Sequence, residues 1–113
     1  MLAGEEAVGF CQTAPVICMT ILYPKTDDAT FDMDYYTSTH MPMLAKAMGD
    51  GCQGWGAASV STDKHVAMGW IIVDSMDTFN AGMAAKGADI MADVPNYTNQ
   101  QPEVVMGEVT GGS

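Results

Sequence analysis

Two short runs of this chain are apolar whichever side they are viewed from. In Val16 to Tyr23, residues Val16, Cys18, Thr20 and Leu22 alternate with Ile17, Met19, Ile21 and Tyr23. In His65 to Val73, residues Val66, Met68, Trp70 and Ile72 alternate with Ala67, Gly69, Ile71 and Val73. Successive side chains of a strand point to opposite faces, so strands of this composition need cover on both sides of their sheet. The first run is rich in β-branched residues and too short for a typical helix, which makes it a strand buried on both faces. Any fold built on these runs must satisfy that double demand.

The other elements follow from capping and period. Asp32 to Met48 reads as a helix, with Asp32 as N-cap, Asp34 in the first turn, and Tyr36 and His40 four apart on one face. Pro42 lacks an amide donor and clashes one turn back, so the helix should kink or restart near His40 and Met41. Gly49-Asp50-Gly51 ends it. Trp55 to Ser61 and His65 to Val73 form two strands joined by Thr62-Asp63-Lys64. A second helix, capped by Ser75, runs to about Ala92 with Phe79, Met83, Ala84 and Ile90 on one face. Glu103 to Val109 is the last strand. The order β-α-β-β-α-β is the ferredoxin-like α+β arrangement, two helices on one face of a four-stranded antiparallel sheet. Two helices cover one face only, and monomers rarely expose large contiguous apolar patches. A homodimer packed sheet to sheet is the expected solution. The domain spans residues 16–110, and the acidic extension 1–15 and Gly111-Gly112-Ser113 are expected to be mobile.

Composition removes several classes of function. A chain of 113 residues holds one domain, and 48% hydrophobic residues exclude a disordered chain. No apolar run approaches the ~20 residues that cross a bilayer, and the start, Met1 to Glu6, lacks a secretory pattern. A cytoplasmic setting without membrane contact is expected. The net charge of -10, with four Lys and Arg together, would repel a nucleic-acid backbone. Cys11, Cys18 and Cys52 are odd in number and lack C-x-x-C spacing, so reduced thiols are expected. Two histidines without a carboxylate or cysteine at ligand spacing argue against a metal site. Without a phosphate loop or dinucleotide fingerprint, no cofactor is expected.

His40 stands out as a candidate for chemistry. Histidine changes charge near neutral pH, and Tyr36 one turn earlier can hydrogen-bond a ligand oxygen. The structural alternative is that His40 satisfies carbonyls freed by Pro42. His65, beside Lys64 at a strand start, reads as solvated. Trp55 and Trp70 line either a pocket or an interface. Eleven methionines, among them Met33, Met41, Met43, Met48, Met68 and Met83, suit a deformable apolar cavity as well as an ordinary core. Tyr97 and Asn99 either reach that pocket or serve the turn chemistry of Asn96-Tyr97-Thr98-Asn99. Asp74 and Asp77 read as helix-start charges.

Phe31-Asp32-x-x-Tyr35-Tyr36-x-x-x-His40-x-Pro42, preceded by Ile21-Leu22-Tyr23-Pro24 and followed late in the chain by Asp93-Val94-Pro95-Asn96-Tyr97-Thr98-Asn99-Gln100-Gln101-Pro102, resembles the EthD family of ethyl tert-butyl ether degradation clusters. The resemblance runs from about Val16 to Val109 and leaves Met1 to Pro15 unexplained. It implies a dimeric α/β barrel with a pocket between each sheet and its surroundings. It also implies cofactor-free lyase, isomerase or cyclase chemistry on a small, mostly apolar carbonyl or phenolic compound, with His40 transferring a proton and Tyr36 steadying charge on oxygen. The substrate-binding residues would be Trp55, Trp70, Met68, Tyr97 and Asn99. A non-catalytic ligand-binding or accessory protein is the alternative, since fold analogy does not choose between them. The second helix, Met76 to Ala92, offers no histidine to ligate haem iron.

Overall fold

The structure, a computed structural model, describes residues 15–112. Strand β1 (Ile17–Pro24) opens the fold. A helical stretch follows as α1 (Met33–Tyr35), a π-helical segment (Tyr36–His40) and α2 (Met41–Met48). A 3-10 turn (Gly49–Gly51) leads to β2 (Cys52–Ser59) and β3 (His65–Val73). Then come α3 (Met76–Asp93), a 3-10 turn (Val94–Asn96) and β4 (Glu103–Glu108). The expectation for the extension 1–15 lies outside the described residues except at Pro15.

The four strands form one antiparallel sheet in the order β2-β3-β1-β4. Register assigns the faces. Met19 stands opposite Ile71 and Ile21 opposite Gly69, on the helix-covered side; Thr20 stands opposite Trp70 and Leu22 opposite Met68, on the other. Ile17, Met19, Ile21, Tyr23, Ala67, Ile71 and Val73 are buried under the helices together with Met41, Leu44, Met48 and Ile90. Cys18, Thr20, Leu22, Met68, Trp70 and Ile72, on the open side, are only half-buried. The alternation read from sequence is the alternation of the sheet. A large apolar side chain fully buried here contributes about 1.5–3 kcal/mol, so the helix-covered face dominates the core.

The helix around Pro42 departs from an ordinary kink. The backbone stays helical at Tyr36, His40 and Met41, and the restart at Met41 is reached through one wide turn, in which the Met41 N–H bonds the Tyr36 carbonyl five residues back. A proline that cannot donate four residues back is thereby accommodated without breaking the rod, and π turns of this kind are often found at functional sites. Asp32 caps the start through Tyr35 N, and Gly49, at φ 62, ends the rod in a conformation suited to glycine. Ser75 caps α3 by accepting from Thr78 N. The packed face of α3 differs in part from expectation: Gly82, Gly87 and Ile90 are buried, Phe79 and Met83 half-buried, and Ala84 is exposed. A Cβ at Gly82 would lie 2.7 Å from the Ala47 carbonyl, so a glycine lets α3 approach α2 and takes the buried position that Ala84 was expected to hold. β2 begins at Cys52 and not Trp55, because the ladder with β3 continues past an irregularity between Cys52 and Gly54.

Candidate functional site

The two sequence motifs, distant along the chain, are tied together by backbone-directed bonds. Asp32 N donates to the Tyr97 carbonyl at 2.8 Å, and Phe31 and Thr98 form an isolated β-bridge. Thr30 N donates to Asn99 Oδ1 at 2.9 Å, Asn99 Nδ2 to the Asp28 carbonyl at 2.8 Å, and Thr98 Oγ1 to the Thr30 carbonyl at 2.7 Å. This clamp sets the end of α3 and the loop after it against the π turn. His40 is carried to Asp93 and Tyr97 as a result.

His40 is 3% exposed. Its Nδ1 lies 3.0 Å from Asp93 Oδ2, and its Nε2 lies 3.2 Å from the Tyr97 hydroxyl, which is 2.7 Å from the Tyr23 hydroxyl. Tyr35 Oη and Asn96 Nδ2 donate to Asp93 Oδ1 at 2.6 and 2.9 Å. Burial pushes Asp93 up, but the bonds from Tyr35, Asn96 and His40 together hold its carboxyl below the ordinary 3.8. Burial lowers the His40 imidazole below 6.5, against the opposing pull of the Asp93 carboxylate. Burial raises Tyr23, Tyr36 and Tyr97 well above the ordinary phenol range. At neutral pH the site therefore holds a carboxylate, a neutral imidazole and protonated phenols. A carboxylate only accepts, so the network assigns the imidazole proton to Nδ1.

Aromatic rings brace the imidazole. Tyr36 stacks on His40 at 5.6 Å between ring centroids and 14° between planes, while Phe31 packs edge-on against Tyr23, Tyr36 and Tyr97 at 4.9–5.3 Å. Tyr36 is fully buried and, among the described residues, its hydroxyl has no hydrogen-bond partner. That hydroxyl rests on the strand at Gly69, where a Cβ would collide with it. Beside this cluster, between the sheet and α3, a cavity of 160 Å³ opens. His40, Tyr23 and Tyr97 form its polar end, and Leu44, Phe79, Met83 and Ile90 are among its apolar walls. Its mouth runs past Met91 and Val104, which are 52% and 56% exposed.

Of the residues singled out from sequence, His40, Tyr36 and Tyr97 lie in one cluster. The others lie elsewhere. Trp70 and Met68 sit on the open face of the sheet, Trp70 laid over Gly56 where a Cβ would collide with its ring. Trp55, 37% exposed on β2, does not line the cavity, and Asn99 serves the clamp between the two motifs. Of the six methionines named above, Met83 lines the cavity; Met19 and Met91 join it there. His40 does not bond the carbonyls near Pro42; its ring nitrogens face Asp93 and Tyr97. His65 is half-buried and pairs with Glu103 at 3.3 Å, a contact across the sheet that its place in the chain did not signal. Asp93, Tyr35, Asn96 and Tyr23 were not picked out as site residues. All four stand inside the quoted motifs, but no spacing rule connects a helix end to a histidine fifty-three residues earlier.

No group of His, Cys, Asp and Glu suited to a metal ion and no helix able to cross a membrane occurs among the described residues. No protein-family model matches the sequence, and no curated protein does. Solved structures do. An EthD-like protein from Ralstonia eutropha JMP134 is 33% identical, with 88% of this chain and 96% of that one covered and a TM-score of 0.79. An EthD family protein from Bacillus halodurans C-125 is 17% identical over 84% and 99% of the two chains, with a TM-score of 0.57. Two further structures share the fold: a dimeric ferredoxin-like protein of unknown function from Thermobifida fusca YX, 13% identical over 89% and 97% with a TM-score of 0.64, and SnoaB, a cofactor-independent oxygenase from Streptomyces nogalater, 10% identical over 88% and 97% with a TM-score of 0.60. With a third of its residues identical to the Ralstonia protein over nearly the full length of both, and with the same ferredoxin-like sheet and helices, this chain belongs to the EthD family.

Proposed function

We propose that this protein binds a small, mostly apolar organic compound in the cavity beside His40 and acts on it by proton transfer, as a cofactor-free lyase, isomerase or cyclase. The observation that carries this reading is a neutral imidazole, anchored by a carboxylate, at the one polar end of an otherwise apolar cavity. Such an imidazole takes a proton from an acidic O–H or C–H of the ligand: that bond breaks, an N–H forms at His40, and the Asp93 carboxylate stabilises the imidazolium until the proton is returned. Tyr36 holds the imidazole plane, and Tyr97 relays between the ligand and Nε2. The sharing of the fold with a cofactor-independent oxygenase supports a site in which side chains act without a bound group, though only by analogy.

A ligand-holding or accessory role is the second reading, favoured by the Tyr97 hydroxyl that already occupies Nε2. Both readings include a homodimer joined through the open sheet face, where Trp70 and Met68 serve the interface, and a cytoplasmic setting in keeping with the free thiols of Cys18 and Cys52. The test is a search by native mass spectrometry for a compound retained on protein purified from cells, followed by His40→Ala. Proton transfer by His40 requires turnover of that compound to fall by about 10²- to 10⁴-fold with the fold intact. Unchanged turnover removes His40 from the chemistry, and retention of the compound without turnover by the parent favours the holding role.

A further inference from the structure

The polar end of the cavity has a hydrogen-bond polarity, and Asp93 sets its direction. Because the carboxylate accepts from Nδ1, Nε2 keeps a lone pair and Tyr97 is the donor of the bond between them. Having given its hydrogen to His40, Tyr97 accepts from Tyr23. Each hydrogen in the series Tyr23, Tyr97, His40 is thus directed toward Asp93. Only lone pairs, on the Tyr97 and Tyr23 oxygens, are left to face a ligand. The remaining wall side chains are apolar, and their methionine sulfurs are weak acceptors at most. Tyr36, whose hydroxyl hydrogen is uncommitted, does not line the cavity.

We propose that the cavity selects a hydrogen-bond donor: a single-ring compound bearing a hydroxyl or N–H, such as a phenol or an enol, which donates to Tyr97 or Tyr23. The inference rests on the ligand-binding reading above and narrows it. A carbonyl compound presents an acceptor to acceptors, and both lose their hydration without recompense. The size agrees, since a cavity of about 150 Å³ accommodates a benzene-sized guest and this one measures 160 Å³. Asp93 is the positioning residue, held by Tyr35 and Asn96 at its other oxygen.

Phenol, toluene and benzaldehyde, titrated calorimetrically into the full-length protein, share a ring and differ in donor and acceptor. Phenol is expected to bind about tenfold tighter than toluene, one net hydrogen bond, with benzaldehyde no tighter than toluene. In the unliganded parent, ¹⁵N NMR of His40 should find Nδ1 protonated and Nε2 bare. Asp93→Asn, whose amide either donates or accepts, should mix the tautomers and narrow the phenol-to-benzaldehyde ratio. A protonated Nε2 in the parent, or benzaldehyde binding as tightly as phenol, overturns the proposal without any variant having to fold. Equal binding of toluene and phenol overturns it while leaving the cavity a ligand site. Failure of all three probes to bind overturns it together with the ligand-binding reading.

Discussion

Two tyrosine hydroxyls in the same cluster meet opposite environments. The Tyr97 hydroxyl bonds both His40 and Tyr23, whereas the Tyr36 hydroxyl is buried without a partner among the described residues. Tyr97→Phe leaves a buried hydroxyl and a buried imidazole nitrogen short of a bond and should cost about 1–3 kcal/mol. Tyr36→Phe removes a desolvated group and keeps the stacked ring, so stability should be unchanged or slightly higher. Urea unfolding of the two variants beside the parent checks the contrast, and equal losses would contradict the assigned network. Acid sensitivity follows from the same residues. The folded-state pKa of His40 lies below 6.5, so as pH falls from 6.5 toward that value the unfolded chain binds a proton that the folded chain refuses, and stability drops. Asp93, held below 3.8, adds a second loss as pH falls from 3.8 through its folded-state pKa. His40→Gln should abolish the upper limb when unfolding midpoints are compared between pH 7.5 and 5.

At the scale of elements, the site depends on a helix turn matched to a strand position. The wide turn Tyr36–His40 leaves Tyr36 against β3, and that strand offers no Cβ at Gly69. Gly69→Ala should force the tyrosine off its seat at a cost of about 1–3 kcal/mol and disturb the His40 stack. The collision is with the hydroxyl oxygen itself, so the double variant Gly69→Ala with Tyr36→Phe should recover part of that loss in a double-mutant cycle. Additive losses would show that the strand and the helix are not coupled there. The disturbance of the helix by Pro42 was legible in the chain because a missing donor is a local fact. Its form as a π turn was not, because the fit of Tyr36 to a strand thirty-three residues away decides it.

For the whole molecule the open sheet face is the decisive surface. Ile71 and Ile72 are neighbours on one strand, but Ile71 is fully buried under the helices and Ile72 faces outward. Ile71→Asp should unfold the protein, since an unpaired carboxylate in the core costs several kcal/mol. Ile72→Asp should leave a folded monomer where the parent is a dimer. Sedimentation at micromolar concentration reads the difference: a parent that sediments as a folded 12.0 kDa monomer would overturn the face-to-face dimer.

What the chain determined by itself was whatever depends on near neighbours: the strand at Val16 to Tyr23 with its two apolar faces, the caps at Asp32 and Ser75, and the β-α-β-β-α-β order from which the ferredoxin-like sheet follows. His40, Tyr36 and Tyr97 were also marked, through motifs that carry the family pattern. The tertiary structure alone decided that Asp93 is the group facing His40, that Tyr23 completes the hydroxyl chain, and that Trp70 and Met68 lie across the sheet from the cavity. The physical reason is distance along the chain. A cap or a period is written in residues a few places apart, whereas a carboxylate at the end of one helix meets an imidazole on another only when the clamp from Thr30 to Asn99 has closed and both helices have packed on the same face of the sheet.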